Sequence, residues 1–268
     1  MPSTSRLPTY FISHGGGPWP WLKNEMGDTY AQLAAALADM PRQIGRRPKA
    51  VLMVSAHWEA PAFTLQTHPQ PPMLYDYGGF PPESYEIKWD APGDPLLASR
   101  VRALLSEADI QSAENSQRGF DHGTFVPLKL ADPSASIPTV QLSLKRGLDP
   151  QFHLQLGQAL SPLRDEGVLI IGSGSSFHNM RAFAAANALA ASQEFDNWLV
   201  EILSLPHQER EEQLVKWSQA PQARFCHPRE EHLLPLHVIA GTALPSEKAS
   251  FPFRQLVLGT QMLAAEFS

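Results

Sequence analysis

Short apolar runs alternate with longer helical stretches along this 268-residue chain, and that alternation restricts its fold more than any other feature. The runs are rich in β-branched and aromatic residues, which is typical of buried strands. They lie at 9–13, 50–56, 63–67, 139–144, 168–172 and 256–258. Strands that alternate with helices of 10–15 residues are typical of crossover units. We therefore predict an α/β fold around a mixed, largely parallel sheet.

Proline and aspartate indicate where most of the helices begin and end. The predicted helices span 28–40, 94–107, 149–165, 192–204, 206–218 and 229–241. Asp28 begins the first, and Pro41 is expected to end it. Pro235 must kink the last helix or begin it afresh. No internal repeat and no linker interrupts this order, so we expect a single domain over residues 1–268.

The composition indicates which partners and which cellular compartment to expect. The chain has 27 acidic and 21 basic residues, a net charge of −6, which argues against nucleic acid as a partner. No window reaches the roughly 20 apolar residues that a membrane span requires. Cys226 is the only cysteine, which excludes a disulfide within the chain and a cysteine-based zinc ribbon. We expect a cytoplasmic protein that does not associate with membranes.

Three of the ten histidines follow predicted strands, and this placement is the strongest functional signal. His14 follows the first strand, His57 follows the run 50–56, and His178 follows the run 168–172 through a short turn. In open α/β sheets, ligands bind beyond the carboxyl ends of the strands. Any one such histidine can be a structural residue, but three at equivalent points predict a metal site. Imidazole suits zinc, copper, iron and nickel, so ligand type alone does not choose the metal.

A fourth histidine, His122, lies in a glycine-flanked motif at 119–124. Its neighbour Asp121 is in a position to orient the imidazole ring. A structural Asp–His pair fits the motif equally well.

The region 226–241 carries three further histidines. His227, His232 and His237 are five residues apart, and residues five apart on a helix point about 140° away from each other. At most one of the three is therefore expected in a shared site. Glu230 and Glu231 compete with it as oxygen ligands.

The long proline-rich segment 68–95 is a candidate substrate-binding loop. Four aromatic residues lie within 75–85, beside a pair of glycines and a pair of prolines. Ordered loops of this length are often functional. We expect Tyr77 and Phe80 to contact an aromatic substrate, although these rings can equally pack the loop onto the sheet.

Together, several short motifs resemble those of the class III extradiol ring-cleaving dioxygenases, the LigB-type superfamily. The motifs are Ser13-His14-Gly15, Ser55-Ala56-His57-Trp58, Tyr77-Gly78-Gly79-Phe80-Pro81, Gly119-Phe120-Asp121-His122-Gly123, His178-Asn179 and Glu231-His232-Leu233-Leu234-Pro235-Leu236. Each motif is weak, but the set occurs in the family's order from residue 13 to about 241. The resemblance is nearest to the DOPA 4,5-dioxygenase-like branch.

That resemblance implies a fold and a set of site residues. The fold would have three layers, α/β/α, around a mixed central sheet. His14, His57 and His232 match the residues that hold the metal. His178 matches a residue that is a fourth metal ligand in some members and the catalytic base in others. His122 matches a residue that assists substrate and oxygen chemistry.

The resemblance also implies an activity, which is opening the ring of a small catechol-type, DOPA-like substrate with O2. Fe(II) is expected for this chemistry. A histidine-only site would also hold Zn²⁺, which has no redox chemistry of its own. Two other functions use the same residues, namely a zinc-dependent hydrolase and a non-catalytic binding protein on this fold.

Overall fold

One mixed sheet of eight strands organises the computed structural model of the protein, which describes residues 6–22, 27–183 and 185–268. Along the sheet the strand order is β4-β3-β5-β2-β6-β1-β8-β7. The β1/β6, β2/β6, β2/β5 and β3/β4 pairs are parallel, and the β1/β8, β3/β5 and β7/β8 pairs are antiparallel. The strands are β1 Thr9–Ser13, β2 Ala50–Ala60, β3 Phe63–Gln66, β4 Ser112–Asn115, β5 Thr139–Lys145, β6 Val168–Gly174, β7 Ala249–Val257 and β8 Thr260–Phe267.

Helices cover both faces of this sheet. They are α1 Ala31–Ile44, α2 Pro95–Glu107, α3 His122–Ala131, α4 Pro150–Leu160, α5 Ala188–Leu203, α6 His207–Val215, α7 Ala223–Cys226 and α8 Leu234–Gly241. Short 3-10 helices lie at Trp19–Trp21, Pro82–Tyr85, Ser161–Arg164 and Trp217–Gln219. Within the described ranges, no helix is both long enough and apolar enough to cross a membrane.

The two helical layers contact opposite sides of the central strands. α1 and α3 pack on one face, where Leu169 of β6 lies beside Leu128 of α3. α8 packs on the other face together with α4, so close to Gly172 of β6 that an added Cβ would lie 2.5 Å from the Pro235 carbonyl oxygen. Every residue of β6 is buried, as expected of a strand covered on both faces. The predicted three-layer α/β/α fold with a mixed, largely parallel sheet is confirmed.

Several predicted boundaries are wrong for local reasons. Pro41 does not end α1, which continues to Ile44 and stops at Gly45, whose φ of 70° is left-handed. A proline this close to the carboxyl end interrupts few helical hydrogen bonds. At the other end of the chain, residues 229–233 form a turn, and α8 begins afresh with Pro235 in its first turn. α5 begins at Ala188, one turn before the predicted start at 192.

Two helices, α3 and the single turn α7, and most of three strands were not predicted from the sequence. α3 is buried over residues 122–128 and contains Pro127, so it lacks the amphipathic period that identifies a surface helix. Asp121 caps it by accepting a hydrogen bond from the Thr124 N–H at 3.2 Å. β4 and β8 were absent from the prediction, and β7 was placed only at 256–258.

Candidate metal centre

Three histidines from distant parts of the chain bring their Nε2 atoms together at one edge of the sheet. The Nε2 atoms of His14 and His57 are 3.0 Å apart, and those of His57 and His232 are 3.2 Å apart. His14 directly follows β1, and His232 lies in the turn that precedes α8. The cluster therefore includes two of the three histidines expected at strand ends, and one from the region 226–241.

His57 occupies a different place from the one predicted. The strand was expected to end at 56, but β2 continues to Ala60, so His57 lies inside it. The register between β2 and β5 shifts between Val54 and Glu59, and His57 falls in that interval. An irregularity of this kind re-aims the side chains of a strand, and here His57 is directed toward the cluster.

Two glycines allow the backbone segments of the site to approach closely. A Cβ on Gly174 at the end of β6 would lie 2.1 Å from the carbonyl oxygen of His232, which accepts a hydrogen bond from the Ser175 N–H at 3.0 Å. Gly17 has a φ of +60°, and a Cβ there would lie 2.8 Å from the ring of Phe80. Both positions therefore require glycine.

The proton of the His14 ring is placed by its hydrogen-bond partner. Nδ1 of His14 lies 3.0 Å from Oγ of Ser173. The Ser173 hydroxyl donates its own hydrogen to the carbonyl oxygen of Gly123, so it is an acceptor toward His14. His14 therefore carries its proton on Nδ1 and presents an Nε2 lone pair to the cluster.

Carboxylates place the protons of the other two rings in the same way. Nδ1 of His57 lies 3.3 Å from Oδ2 of Asp76, and Nδ1 of His232 lies 3.0 Å from Oε1 of Glu231. An ionised carboxylate only accepts hydrogen bonds, so His232 carries its proton on Nδ1, and the charge of Asp76 beside Nδ1 of His57 favours the same placement there. Carboxylates and carbonyl groups commonly orient metal-binding histidines in this manner.

The three rings are neutral and fit a single cation. Burial lowers the pKa of His57 to about 4, with a further contribution from the nearby His122. Burial also lowers the pKa of His14 and of His232 well below the ordinary value. Three lone pairs then face one another with no proton between them, which is unfavourable unless a cation separates them. Imidazole nitrogens about 2.0–2.1 Å from one ion lie roughly 3.0–3.4 Å apart, close to the spacing observed here.

The carboxylate partner of His122 is Asp76, and the expected pairing of His122 with Asp121 is wrong. Nδ1 of His122 lies 2.8 Å from Oδ1 of Asp76. Asp121 is buried below α3, where it accepts hydrogen bonds from Ser55 at 2.8 Å and from Arg118 at 2.9 Å. Asp121 therefore ties the start of α3 to β2. Asp76 was missed, although it is the one charged residue in the stretch 69–82.

His178 lies flat against His232 and shares its carboxylate. The two ring centroids are 3.3 Å apart and the planes differ by 12°. Nδ1 of His178 lies 3.2 Å from Oε1 of Glu231. Burial by itself raises the pKa of Glu231, but hydrogen bonds from His178 and His232 outweigh it and hold the pKa well below its ordinary value. Nδ1 of His178 is thus the donor and Nε2 is left as the acceptor.

Other polar residues of the region 226–241 point elsewhere. His227 and His237 are buried, and each directs Nε2 at a backbone carbonyl, that of Ser176 and that of Leu214, at 2.9 Å. Glu230 pairs with Arg224 at 2.7 Å. Residues 227–233 do not form a helix, so the expected 140° between His227 and His232 does not hold.

A cavity of about 440 Å³ opens over the cluster. Aromatic and thioether side chains that include Phe80, Phe177, Met180 and Phe183 line it, together with the five histidines His14, His57, His122, His178 and His232. Tyr77 lies behind this wall, with its ring 5.7 Å from that of His122 and its hydroxyl donating to the Ser84 carbonyl at 2.6 Å. The cavity thus has a polar floor of imidazoles and largely apolar walls.

Comparison with known proteins agrees with this geometry. Residues 5–258 match the family described as the catalytic LigB subunit of aromatic ring-opening dioxygenase. The chain is 38% identical to a 4,5-DOPA dioxygenase extradiol of Beta vulgaris, over 90% of this chain and 88% of that protein. It is 36% identical to the dioxygenase tasH of Hapsidospora irregularis, over 90% of this chain and 79% of that one.

A solved structure supports the fold over nearly the whole chain. The crystal structure of an uncharacterised protein from Escherichia coli K12 superposes with a TM-score of 0.80 at 27% identity, covering 98% of this chain and 100% of that one. The resemblance inferred from the motifs is confirmed. The chain belongs to the LigB family of aromatic ring-opening dioxygenases, an oxidoreductase family with a non-haem metal site.

Proposed function

We propose that this protein opens the ring of a catechol-type substrate by extradiol cleavage with O2, at one metal ion held by His14, His57 and His232. One observation carries the proposal. Three neutral imidazoles, two buried and that of His57 partly buried, direct unprotonated Nε2 atoms at a common point, 3.0–3.2 Å apart along two edges of the triangle. We further propose that residues 1–268 act as one catalytic domain.

Fe(II) is the metal that fits the proposed reaction. Bound by the three histidines, it would supply the one-electron chemistry that lets O2 react with a closed-shell aromatic ring. Many non-haem oxygenases use two histidines and a carboxylate, whereas this cluster offers three imidazoles. Zn²⁺ suits the same ligands, and a zinc-filled protein is expected to be inactive with O2.

The cavity fits a planar ring above the cluster. Phe80, Phe177 and Phe183 line it and provide surfaces on which an aromatic ring can stack. Several relatives are named as DOPA dioxygenases, so DOPA is the first substrate to test. Substrate contact by Tyr77 stays a prediction, and its packing against His122 suggests that it acts by supporting that residue.

We assign the transfer of the substrate's hydroxyl proton to His178. Its Nδ1 is held by Glu231, so its Nε2 is free to accept a proton from a hydroxyl in the cavity, and the carboxylate then stabilises the imidazolium. Direct ligation of the metal by His178 is the alternative. His122, held by Asp76 across the cluster, is assigned the proton transfer that assists ring opening.

The test is reconstitution with Fe(II) without oxygen, followed by addition of air-saturated buffer and a panel of catechols that includes DOPA. We expect O2 uptake and a yellow ring-opened product. Zinc-loaded protein and the His14→Ala variant are the matched controls, and both should be inactive. Stoichiometric iron without O2 uptake on any catechol would refute the proposal. Ester or amide hydrolysis under argon would instead identify a hydrolase.

A further inference from the structure

We propose that Asp76 is a positioning residue that places the ring protons of both His57 and His122. This inference rests on the proposed function only in treating His57 as a metal ligand. Asp76 lies in the segment 68–95, called the aromatic loop below, and contacts His122 across 46 residues of sequence. It links the loop that carries Phe80 to the metal site.

The two carboxylate oxygens of Asp76 have separate partners. Oδ1 accepts the backbone N–H of His122 at 2.9 Å and lies 2.8 Å from Nδ1 of the same residue. Oδ2 lies 3.3 Å from Nδ1 of His57. Since a carboxylate has no hydrogen to donate, the His122 ring carries its proton on Nδ1, and the negative charge of Oδ2 beside Nδ1 of His57 favours the same placement there. Both Nε2 atoms are then unprotonated. Nε2 of His57 faces the cluster, and Nε2 of His122 is a hydrogen-bond acceptor.

The backbone around Asp76 is fixed, so its carboxylate is held in place. The Asp76 N–H donates to the Leu74 carbonyl at 3.0 Å. The Leu74 N–H donates to the Phe120 carbonyl at 2.8 Å, and the Phe120 N–H donates to the Pro72 carbonyl at 2.9 Å. These bonds join the loop to the segment that leads into α3. The loop and His122 are therefore positioned together.

The surroundings of Asp76 present hydrogen-bond donors to its carboxylate. Its side chain is 18% exposed, and Oδ1 receives both the backbone N–H and the ring Nδ1 of His122. The carboxylate therefore acts as an acceptor toward His122.

Asparagine distinguishes positioning from simple loop anchoring. An Asp76→Asn side chain keeps one oxygen, which can still accept the His122 N–H, so an anchoring role would survive. Its amide nitrogen would then face Nδ1 of His57 and donate to it. His57 would have to carry its proton on Nε2, which removes the lone pair that the cluster presents.

The experiment compares wild type, Asp76→Asn and Asp90→Asn in the full-length protein. Asp90 is an exposed carboxylate in the same loop and serves as the matched control. ¹⁵N NMR of metal-free protein reports which ring nitrogen of His57 is protonated, and competition with a chelator reports Zn²⁺ affinity. We expect Asp76→Asn to move the His57 proton to Nε2 and to weaken Zn²⁺ binding by about 10–100-fold, and Asp90→Asn to change neither.

Each outcome of this comparison decides the proposal. An Asp76→Asn protein with wild-type affinity and an unchanged His57 proton would overturn it, as would two ions per chain with Asp76 as a ligand. If the variant does not fold, the ¹⁵N NMR spectrum of the wild type is sufficient, because a wild-type His57 protonated on Nε2 contradicts the proposal. A wild type with the expected protons and zinc affinity that never consumes O2 refutes the proposed function and leaves the role of Asp76 standing.

Discussion

The partner of Nδ1 on each imidazole determines whether Nε2 of the same ring carries a proton or a free lone pair. Ser173 and Glu231 each accept a hydrogen bond from Nδ1 of one converging histidine, and a carboxylate oxygen of Asp76 lies 3.3 Å from Nδ1 of the third. Asp76 and Glu231 also each hold one further histidine, His122 and His178. The two carboxylates thus connect the proposed ligands to the proposed proton carriers, so a change at either carboxylate should affect both.

Replacing His178 separates its two possible roles. Asparagine keeps a donor for Glu231 but has no equivalent of the Nε2 acceptor. We expect His178→Asn to lower kcat by about 10²–10⁴-fold, the range for loss of a general base, with the metal content unchanged. Metal analysis and steady-state O2 uptake on the iron-loaded protein provide the two measurements. Loss of the metal along with the activity would identify His178 as a ligand.

At the scale of elements, the site depends on where neighbouring segments touch. The irregular register of β2 aims His57, the close approach to Gly174 places His232, and the hydrogen bonds of Phe120 fix the aromatic loop. None of these elements forms the site alone. The loop differs from the others because it supplies both a cavity wall and the carboxylate that holds His57.

Phe80 tests the contribution of the loop to substrate binding. Phe80→Ala removes one aromatic surface of the cavity, and an aromatic contact contributes about 0.5–1.5 kcal/mol. We expect a rise in KM of roughly 2–10-fold for the best catechol, with kcat and thermal stability little changed. Phe152→Ala is the control, because Phe152 is 46% exposed on α4. Equal KM values for wild type and Phe80→Ala would show that Phe80 only packs the loop.

For the molecule as a whole, buried neutral imidazoles outside the cluster affect folding as well. Burial lowers the pKa of His153 and of His237 to about 4 and that of His227 to about 3. In the unfolded chain these groups take up protons near pH 6.5. Their neutral form therefore stabilises the fold above pH 6.5, and that stability is lost as the pH falls toward 4.

We accordingly expect the free energy of unfolding to decrease between pH 6.5 and 4, by at most about 1.4 kcal/mol per pH unit for each of these imidazoles. Urea denaturation of metal-free protein at pH 7, 6 and 5 measures the slope. The free energy of unfolding of His153→Asn should depend less steeply on pH, whatever its stability at pH 7. Wild type and variant share the same converging histidines, so the difference in slope reports His153. A stability that does not change from pH 7 to 5 would contradict the prediction.

Removing the metal should also lower the stability of the whole molecule. A ligand that binds only the folded state, at a free concentration 100 times its Kd, stabilises it by about 2.7 kcal/mol. For a chain of this size that corresponds to roughly 5–10 °C in Tm. Thermal unfolding with and without a chelator measures the difference. The His232→Ala variant should show no such difference in Tm. An equal Tm for wild type with and without the chelator would argue against a bound ion.

The sequence by itself determined the fold class and most of the strands and helices. It also selected His14 and His57, of which His14 directly follows a strand as expected and His57 lies inside β2. These features have local causes, such as the apolar run of β6 and the Asp94-Pro95 start of α2, where Asp94 accepts from the Leu97 N–H at 2.9 Å. The family resemblance, carried by short motifs in order, added His232 to that set.

Only the tertiary structure decided which groups face one another. His57 and His232 are 175 residues apart in sequence, and His122 meets Asp76 although Asp121 is its neighbour. α3 was missed because a helix buried on all sides has no amphipathic period. The spacing of apolar residues indicates only which face of each segment is buried. The position of a ring proton depends on a partner that folding brings from elsewhere in the chain.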